Sequence, residues 1–227
     1  MHSLPCYDIY FTTKSYNVSE LEAAGCRKVI WISNAYDADF HFPREFSQDS
    51  YNRYGGEIGF VGGYEHERAS DIIFLARHGL PVRVWGDNWV KKLGGKRPRN
   101  LRLEPCGLYD QNYPIAVSNF KINLCFLRKK NRDLQTTRTM EIPASGGFML
   151  AEDSPEHRML FQSGREAVFF SCQDELLRHC RYYLEHETER KAIAKAGLFR
   201  CRNSGYDNES RIHEMFAHIH KIRTQME

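Results

Sequence analysis

The segment Arg138-Thr139-Met140-Glu141-Ile142-Pro143-Ala144-Ser145-Gly146-Gly147 sets an arginine, a carboxylate and paired glycines close together in the chain. A carboxylate such as Glu141 can accept two hydrogen bonds from a vicinal diol, the chemistry of a ribose. An arginine such as Arg138 can neutralise a diphosphate with a planar, permanently charged fork. The small residues that follow, with Gly146, let a ligand approach the backbone where the chain runs into the apolar Phe148-Met149-Leu150-Ala151. A plainer reading stays open, in which Glu141 complements the positive end of a helix and Arg138 is solvated. Pro143 has no amide hydrogen, so the helix carrying Glu141 is expected to be short or kinked.

A second cluster runs from Gly59 through Gly62 and Gly63 to Arg68. Glycines at a strand-to-helix turn let backbone amides reach a phosphate at the helix N-terminus. The spacing departs from Gly-x-Gly-x-x-Gly, and a tight turn that needs positive φ explains it equally well. Asp87, just after the run Val82 to Trp85, falls where a nicotinamide-binding fold keeps its ribose-binding acid, which leaves an oxidoreductase open. No metal site is expected. The seven cysteines form no Cys-x-x-Cys pair, and His213, His218 and His220 share a helical stretch without a partner at ligand spacing.

These residues need a scaffold, and the hydrophobic pattern supplies one. Apolar runs at Tyr7 to Phe11, Lys28 to Ile32, Glu57 to Val61, Pro81 to Trp85, Leu101 to Leu103, Ile122 to Leu127, Phe148 to Ala151 and Ala167 to Phe170 read as strands. Helical spacing falls between them and from Asp174 to the end. Strands alternating with helices predict a parallel sheet covered on both faces, a doubly wound, Rossmann-like α/β domain with a helical C-terminal tail. The stretch Asn34 to Tyr54, with Pro43 and the following Gly55-Gly56, reads as a boundary. The expected division is a β-α-β unit over 1–45, a linker over 46–56 and the main domain over 57–227.

Composition sets limits. The chain has 227 residues, 41% hydrophobic and 27% charged, which fits a globular protein and excludes wholesale disorder. No apolar run is long enough for a membrane helix, and the first residues lack the regions of a secretory signal, so a cytoplasmic protein is expected. A net charge of +3 is too mild to indicate nucleic acid. The basic clusters Lys91 to Arg102 and Arg128 to Lys130 read as solvated loops, or as peripheral contacts with an anionic membrane or a nucleotide.

The segment from Arg138 to Glu152 resembles the carboxy-terminal domain of glycosyltransferases of the two-lobed GT-B architecture. It is most similar to the group related to the spore protein CgeB, with its Arg-x-x-Glu-x-x-Ala-x-Gly core leading into an apolar strand. The resemblance continues through Glu166 to Phe170, Tyr182-Tyr183-Leu184, Ile193 to Gly197 and Arg211, and covers about residues 56–223; the His-Thr pair usual before that arginine is absent. It implies a nucleoside diphosphate sugar as donor substrate, an unidentified acceptor hydroxyl and no separate cofactor. Glu141 matches the acid that binds the donor ribose, and Gly62 and Gly63 match the loop facing the diphosphate. Asp133, eight residues before Glu141, falls near the first acid of a pair that touches the sugar in retaining relatives; it is one methylene shorter than the usual Glu, and the accompanying Gly-Phe-Gly pattern is missing. The bends after Trp85 and around Cys106 to Tyr109 would hold the base. Residues 1–45 look like the end of the family's amino-terminal lobe. A complete enzyme of this architecture is longer, which points to a truncated chain or a degenerate relative. A non-catalytic nucleotide- or partner-binding module of the same fold is the alternative.

Overall fold

The computed structural model describes residues 3–226. Its first unit is a two-stranded parallel sheet, β1 (Tyr10–Thr12) and β2 (Val29–Trp31), joined through α1 (Asn17–Ala23). The opening strand starts later than the apolar run suggests. A turn of 3-10 helix at Leu4–Cys6 precedes it, and pairing begins only where Tyr10 lies opposite Val29.

The segment expected to be a linker contains a helix, α2 (Gln48–Tyr54). Its face is polar, so no hydrophobic period announces it. A capping box between Ser47 and Ser50 starts it. Tertiary bonds hold its far end: Arg83 donates to the carbonyls of Gly55 at 2.8 Å and Arg53 at 2.5 Å, and the Trp85 indole donates to Tyr54 at 3.3 Å.

The main sheet follows as β3 (Gly56–Val61), α3 (His66–Arg77), β4 (Val82–Trp85), α4 (Trp89–Leu93), β5 (Leu101–Leu103), α5 (Asn112–Asn119), β6 (Phe120–Cys125), α6 (Arg138–Ala144), β7 (Met149–Glu152), α7 (Pro155–Leu160) and β8 (Val168–Phe170). The helical tail is α8 (Gln173–Glu185), α9 (Glu187–Asn203) and α10 (Asn208–Met226). All six strands are parallel, in the order β5-β4-β3-β6-β7-β8. The expected doubly wound sheet is therefore the observed one. Because the chain moves outward from β3 to β5 and then returns to β6, the connections diverge at the β3–β6 boundary. A crevice opens there at the carboxyl ends of the strands.

Two apolar layers fix the helices to the sheet. One face buries Ile72 and Leu75 of α3 with Leu176 and Cys180 of α8. The other buries Ala116 and Val117 of α5, Met140 and Ile142 of α6 and Cys201 of α9. Pro143 lies near the end of the seven-residue α6, so it removes only a late amide and the helix stays short, as its position predicts.

The first unit is tied to the main domain by polar contacts. Lys14 pairs with the buried Asp133, and Arg132 meets Glu20 through two bonds of 2.8 and 2.9 Å. Tyr16 donates to the Asn131 carbonyl at 2.7 Å, and the Asn34 amide donates to Gln135 at 3.2 Å. The strand-like bridge between Tyr36 and Asp207 then leads into the crossover segment 37–44. Among the described residues no helix is long and apolar enough to cross a membrane.

Candidate functional site

The crevice at the carboxyl ends contains a cleft of about 450 Å³ lined by Val61, Gly62, Gly63, Trp85, Tyr113, Arg138 and Glu141, with Phe40 and His41 from the crossover. A polar cavity of about 350 Å³ adjoins it and shares Gly63, Thr137 and Arg138. Lys14, Arg68, Arg128 and Asp133 also line that second cavity.

At the junction, the two glycines have different duties. The Gly62 amide already donates to the Trp85 carbonyl at 2.8 Å, and the Gly62 carbonyl accepts from the Trp89 indole at 2.7 Å. A side chain at Gly62 would meet the Phe60 ring 2.8 Å away and the Arg138 guanidinium 3.3 Å away. Gly63 has open space where a side chain would point, and its amide makes no backbone hydrogen bond among the described residues. Neither glycine has positive φ, so close approach, not turn strain, explains the pair. Gly86 enforces the same closeness, since a Cβ there would collide with the Gly62 carbonyl at 1.9 Å.

Two arginines converge on this turn. The guanidinium carbons of Arg68 and Arg138 each lie 5.7 Å from the Phe60 ring centroid, and the Nε of each is buried without a hydrogen-bond partner. Arg68 is only 4% exposed. Burial, and next the charge of Arg138, pull its pKa below the usual arginine value; Glu65, 3.8 Å away, pulls it back. Glu65 also pairs with Arg128, so its charge is divided. Two neighbouring cations with unfilled donors, beside a free glycine amide, have the chemistry to hold an anion.

Glu141 stands in the first turn of α6, with one oxygen accepting from the Tyr113 hydroxyl at 2.8 Å. Its other oxygen is 4.0 Å from His41 Nε2. Burial pushes the Tyr113 hydroxyl well above its usual pKa, and the adjacent Glu141 adds to the effect, so the phenol remains a donor to the carboxylate. The start of α6 is set from below by a buried relay. The His157 ring lies 2.6 Å from the Glu152 carbonyl through Nδ1 and 2.9 Å from the Thr139 hydroxyl through Nε2, and Thr139 in turn accepts from the Thr136 amide at 3.0 Å. Burial lowers the His157 pKa and keeps the ring neutral.

Residues 68–217 match the glycosyl transferase-like family. The chain belongs to that family. No curated protein matches at the sequence level. Among solved structures, HepE of Anabaena in complex with UDP and glucose superposes with a TM-score of 0.75 at 11% identity, over 96% of this chain and 65% of that one. Sucrose-phosphate synthase from Thermosynechococcus elongatus gives a TM-score of 0.70 at 11% identity, over 98% and 60%. The carboxy-terminal domain of the group 1 glycosyl transferase LpcC from Francisella tularensis gives 0.58 at 13% identity, over 76% and 99%. The fold is that of GT-B glycosyltransferase lobes, and the chain spans about 60–65% of the two longer structures.

Within this glycosyltransferase-like chain, the expected residues Gly62, Gly63, Trp85, Arg138 and Glu141 line one cleft, and Arg68 and Asp133 line the cavity joined to it. The carboxylate of Asp133 does not stand free, because Lys14 from the first unit pairs with it. Gly146 lies elsewhere. It follows the C-terminal end of α6, opposite the end that carries Arg138, and it lines a different cavity, with Phe46, Tyr51 and Lys191. Its φ of +76°, and the 3.0 Å that a Cβ there would leave to Pro43, make it a packing position for the crossover, apart from the cleft that the other expected residues line. Asp87, the residue behind the nicotinamide reading, accepts from the Tyr109 hydroxyl at 3.1 Å on the rim. Sequence reasoning missed Tyr113, His41 and Lys14. No local pattern signalled any of the three, because each meets its partner from a segment distant in the chain.

Proposed function

We propose that this chain binds a nucleoside diphosphate sugar in the cleft and transfers the sugar to an acceptor hydroxyl. One observation carries the reading: the buried Arg68 and the half-buried Arg138, each with a buried Nε that lacks a partner, beside the free Gly63 amide. In this assignment Arg68, Arg138 and Gly63 hold the diphosphate and stabilise the charge that develops on it as the sugar leaves. Glu141, steadied by Tyr113, takes the ribose diol. Trp85, with the loop Gly107 to Tyr109, walls the base. Asp133 and Lys14 line the side of the cavity where the sugar would lie. The family match and the UDP held by HepE support a nucleotide donor. The Arg-x-x-Glu-x-x-Ala-x-Gly order supports placement in the CgeB-like group, and seven free thiols suit a reducing, cytoplasmic setting.

The test is calorimetry of the full chain with UDP, GDP, ADP and CDP. At least one should bind, and Glu141→Ala should weaken that binding about 10-fold or more, the value of a charge-assisted hydrogen-bonded pair. Failure of all four ligands sinks the reading. A non-catalytic binding module of this fold would bind the nucleotide without hydrolysing or transferring the sugar of the matching donor.

A further inference from the structure

His41 comes from the crossover, one hundred positions before Glu141 in the chain, yet it faces Glu141 across the cleft. Its side chain is 10% exposed and held edge-on between Phe40 and Tyr113, with ring centroids 4.8 and 5.8 Å away. The crossover itself is anchored on both sides of the histidine. The Arg44 amide donates to the Ser118 hydroxyl at 3.1 Å, and its guanidinium donates to the Phe40 carbonyl at 3.1 Å. Pro43 sits against Gly146, the glycine that lies outside the cleft.

The hydrogen bonds select one tautomer. The Asp37 amide points at His41 Nδ1 from 3.1 Å, and the Asp37 carbonyl, 3.2 Å from the same nitrogen, already accepts from the His41 amide at 2.7 Å. Satisfying the Asp37 amide makes Nδ1 the acceptor, so the proton sits on Nε2. That proton faces the carboxylate of Glu141, whereas the opposite tautomer would set a lone pair against it. Burial lowers the His41 pKa; Glu141, the Asp37 backbone contact and the Asp37 charge oppose it, and Arg44 acts in the same direction as burial.

The 4.0 Å between Nε2 and the Glu141 oxygen is too long for a direct hydrogen bond. It matches a hydroxyl inserted between them. An oxygen about 2.8 Å from each would see the two at roughly 90°, accepting from Nε2–H and donating to the carboxylate. The other Glu141 oxygen accepts from the Tyr113 hydroxyl, which fixes the carboxylate with its free oxygen turned toward His41. Building on the nucleotide reading of the cleft, we propose that His41 and Glu141 form a two-sided clamp for one ribose hydroxyl and so select ribonucleotide over deoxyribonucleotide ligands.

The experiment measures the binding of UDP, GDP, ADP and CDP and of their 2′-deoxy and 3′-deoxy forms to the full chain, to His41→Ala and to His41→Gln. The wild-type chain should prefer the ribonucleotide over one of the two deoxy forms by about 10-fold or more. His41→Ala should remove most of that preference, chiefly by weakening the ribonucleotide, and His41→Gln, which keeps an N–H donor, should restore part of it. The ratio within each variant is insensitive to partial unfolding, which lowers both affinities alike. An unchanged ratio in His41→Ala overturns the clamp and leaves nucleotide binding standing, as does a wild-type chain that binds ribo and deoxy forms equally. A wild-type chain that binds none of the four overturns both.

Discussion

The two halves of the crevice treat charge in opposite ways. Around Gly62 and Gly63, Arg68 and Arg138 sit close together with buried donors unfilled. Five positions before Arg138 in the chain, Asp133 is also buried, but Lys14 answers its charge. Holding like charges together with donors unfilled costs stability, a cost that a bound anion would offset. Burying a matched pair instead joins two parts of the chain. On the proposed reading, the contrast separates a half that faces the diphosphate from a half that docks the first β-α-β unit onto the main domain.

The largest effect should come from the unmatched side. Arg138→Ala should lower nucleoside diphosphate affinity about 10- to 100-fold, while thermal denaturation shows stability unchanged or raised because a repulsion is relieved. A marked loss of stability with intact affinity would make Arg138 structural and erase the contrast. On the matched side the signs reverse. Asp133→Asn should cost about 1–2 kcal/mol in denaturant unfolding, less than a fully buried pair because Lys14 is partly exposed, and should leave nucleotide affinity within about 3-fold. A 10-fold drop in affinity would move Asp133 to the ligand-facing half.

The smallest effect concerns the relay beneath α6. The His157 pKa is lowered by burial, so in the window below 6.5 the unfolded chain binds a proton that the folded chain resists. Stability should therefore be fully present above that value and fall as pH drops through it, by at most about 1.4 kcal/mol per pH unit from this group. Nearby Glu152 and Asp153 temper the shift. Unfolding midpoints followed from pH 7.5 to 5.5 should flatten in His157→Gln relative to wild type; identical slopes would show that the ring is not held neutral.

The strand and helix order was legible because each element carries its own period. Ile58 to Val61, Val82 to Trp85 and Ile122 to Cys125 are apolar runs between turn residues, and they became the central strands. The helix at 48–54 was not legible, because its stability comes from the Ser47–Ser50 cap and from Arg83 and Trp85, bonds that reach it across the fold. Glu141, Arg138 and the Gly62-Gly63 turn could be singled out by residue type and local spacing. Gly146 was singled out on the same grounds but lines another cavity, since proximity in sequence to Glu141 does not fix which end of the short helix faces the cleft.

By itself, then, the sequence determined the parallel α/β scaffold, the crevice at the strand ends and the acid, arginine and glycines beside it, because hydrophobic period and short-range spacing are local properties. Only the tertiary structure decided how those groups are partnered. Tyr113 on Glu141, Lys14 on Asp133 and His41 across the cleft are contacts between segments distant in the chain, and they depend on how helices and crossover pack on the finished sheet.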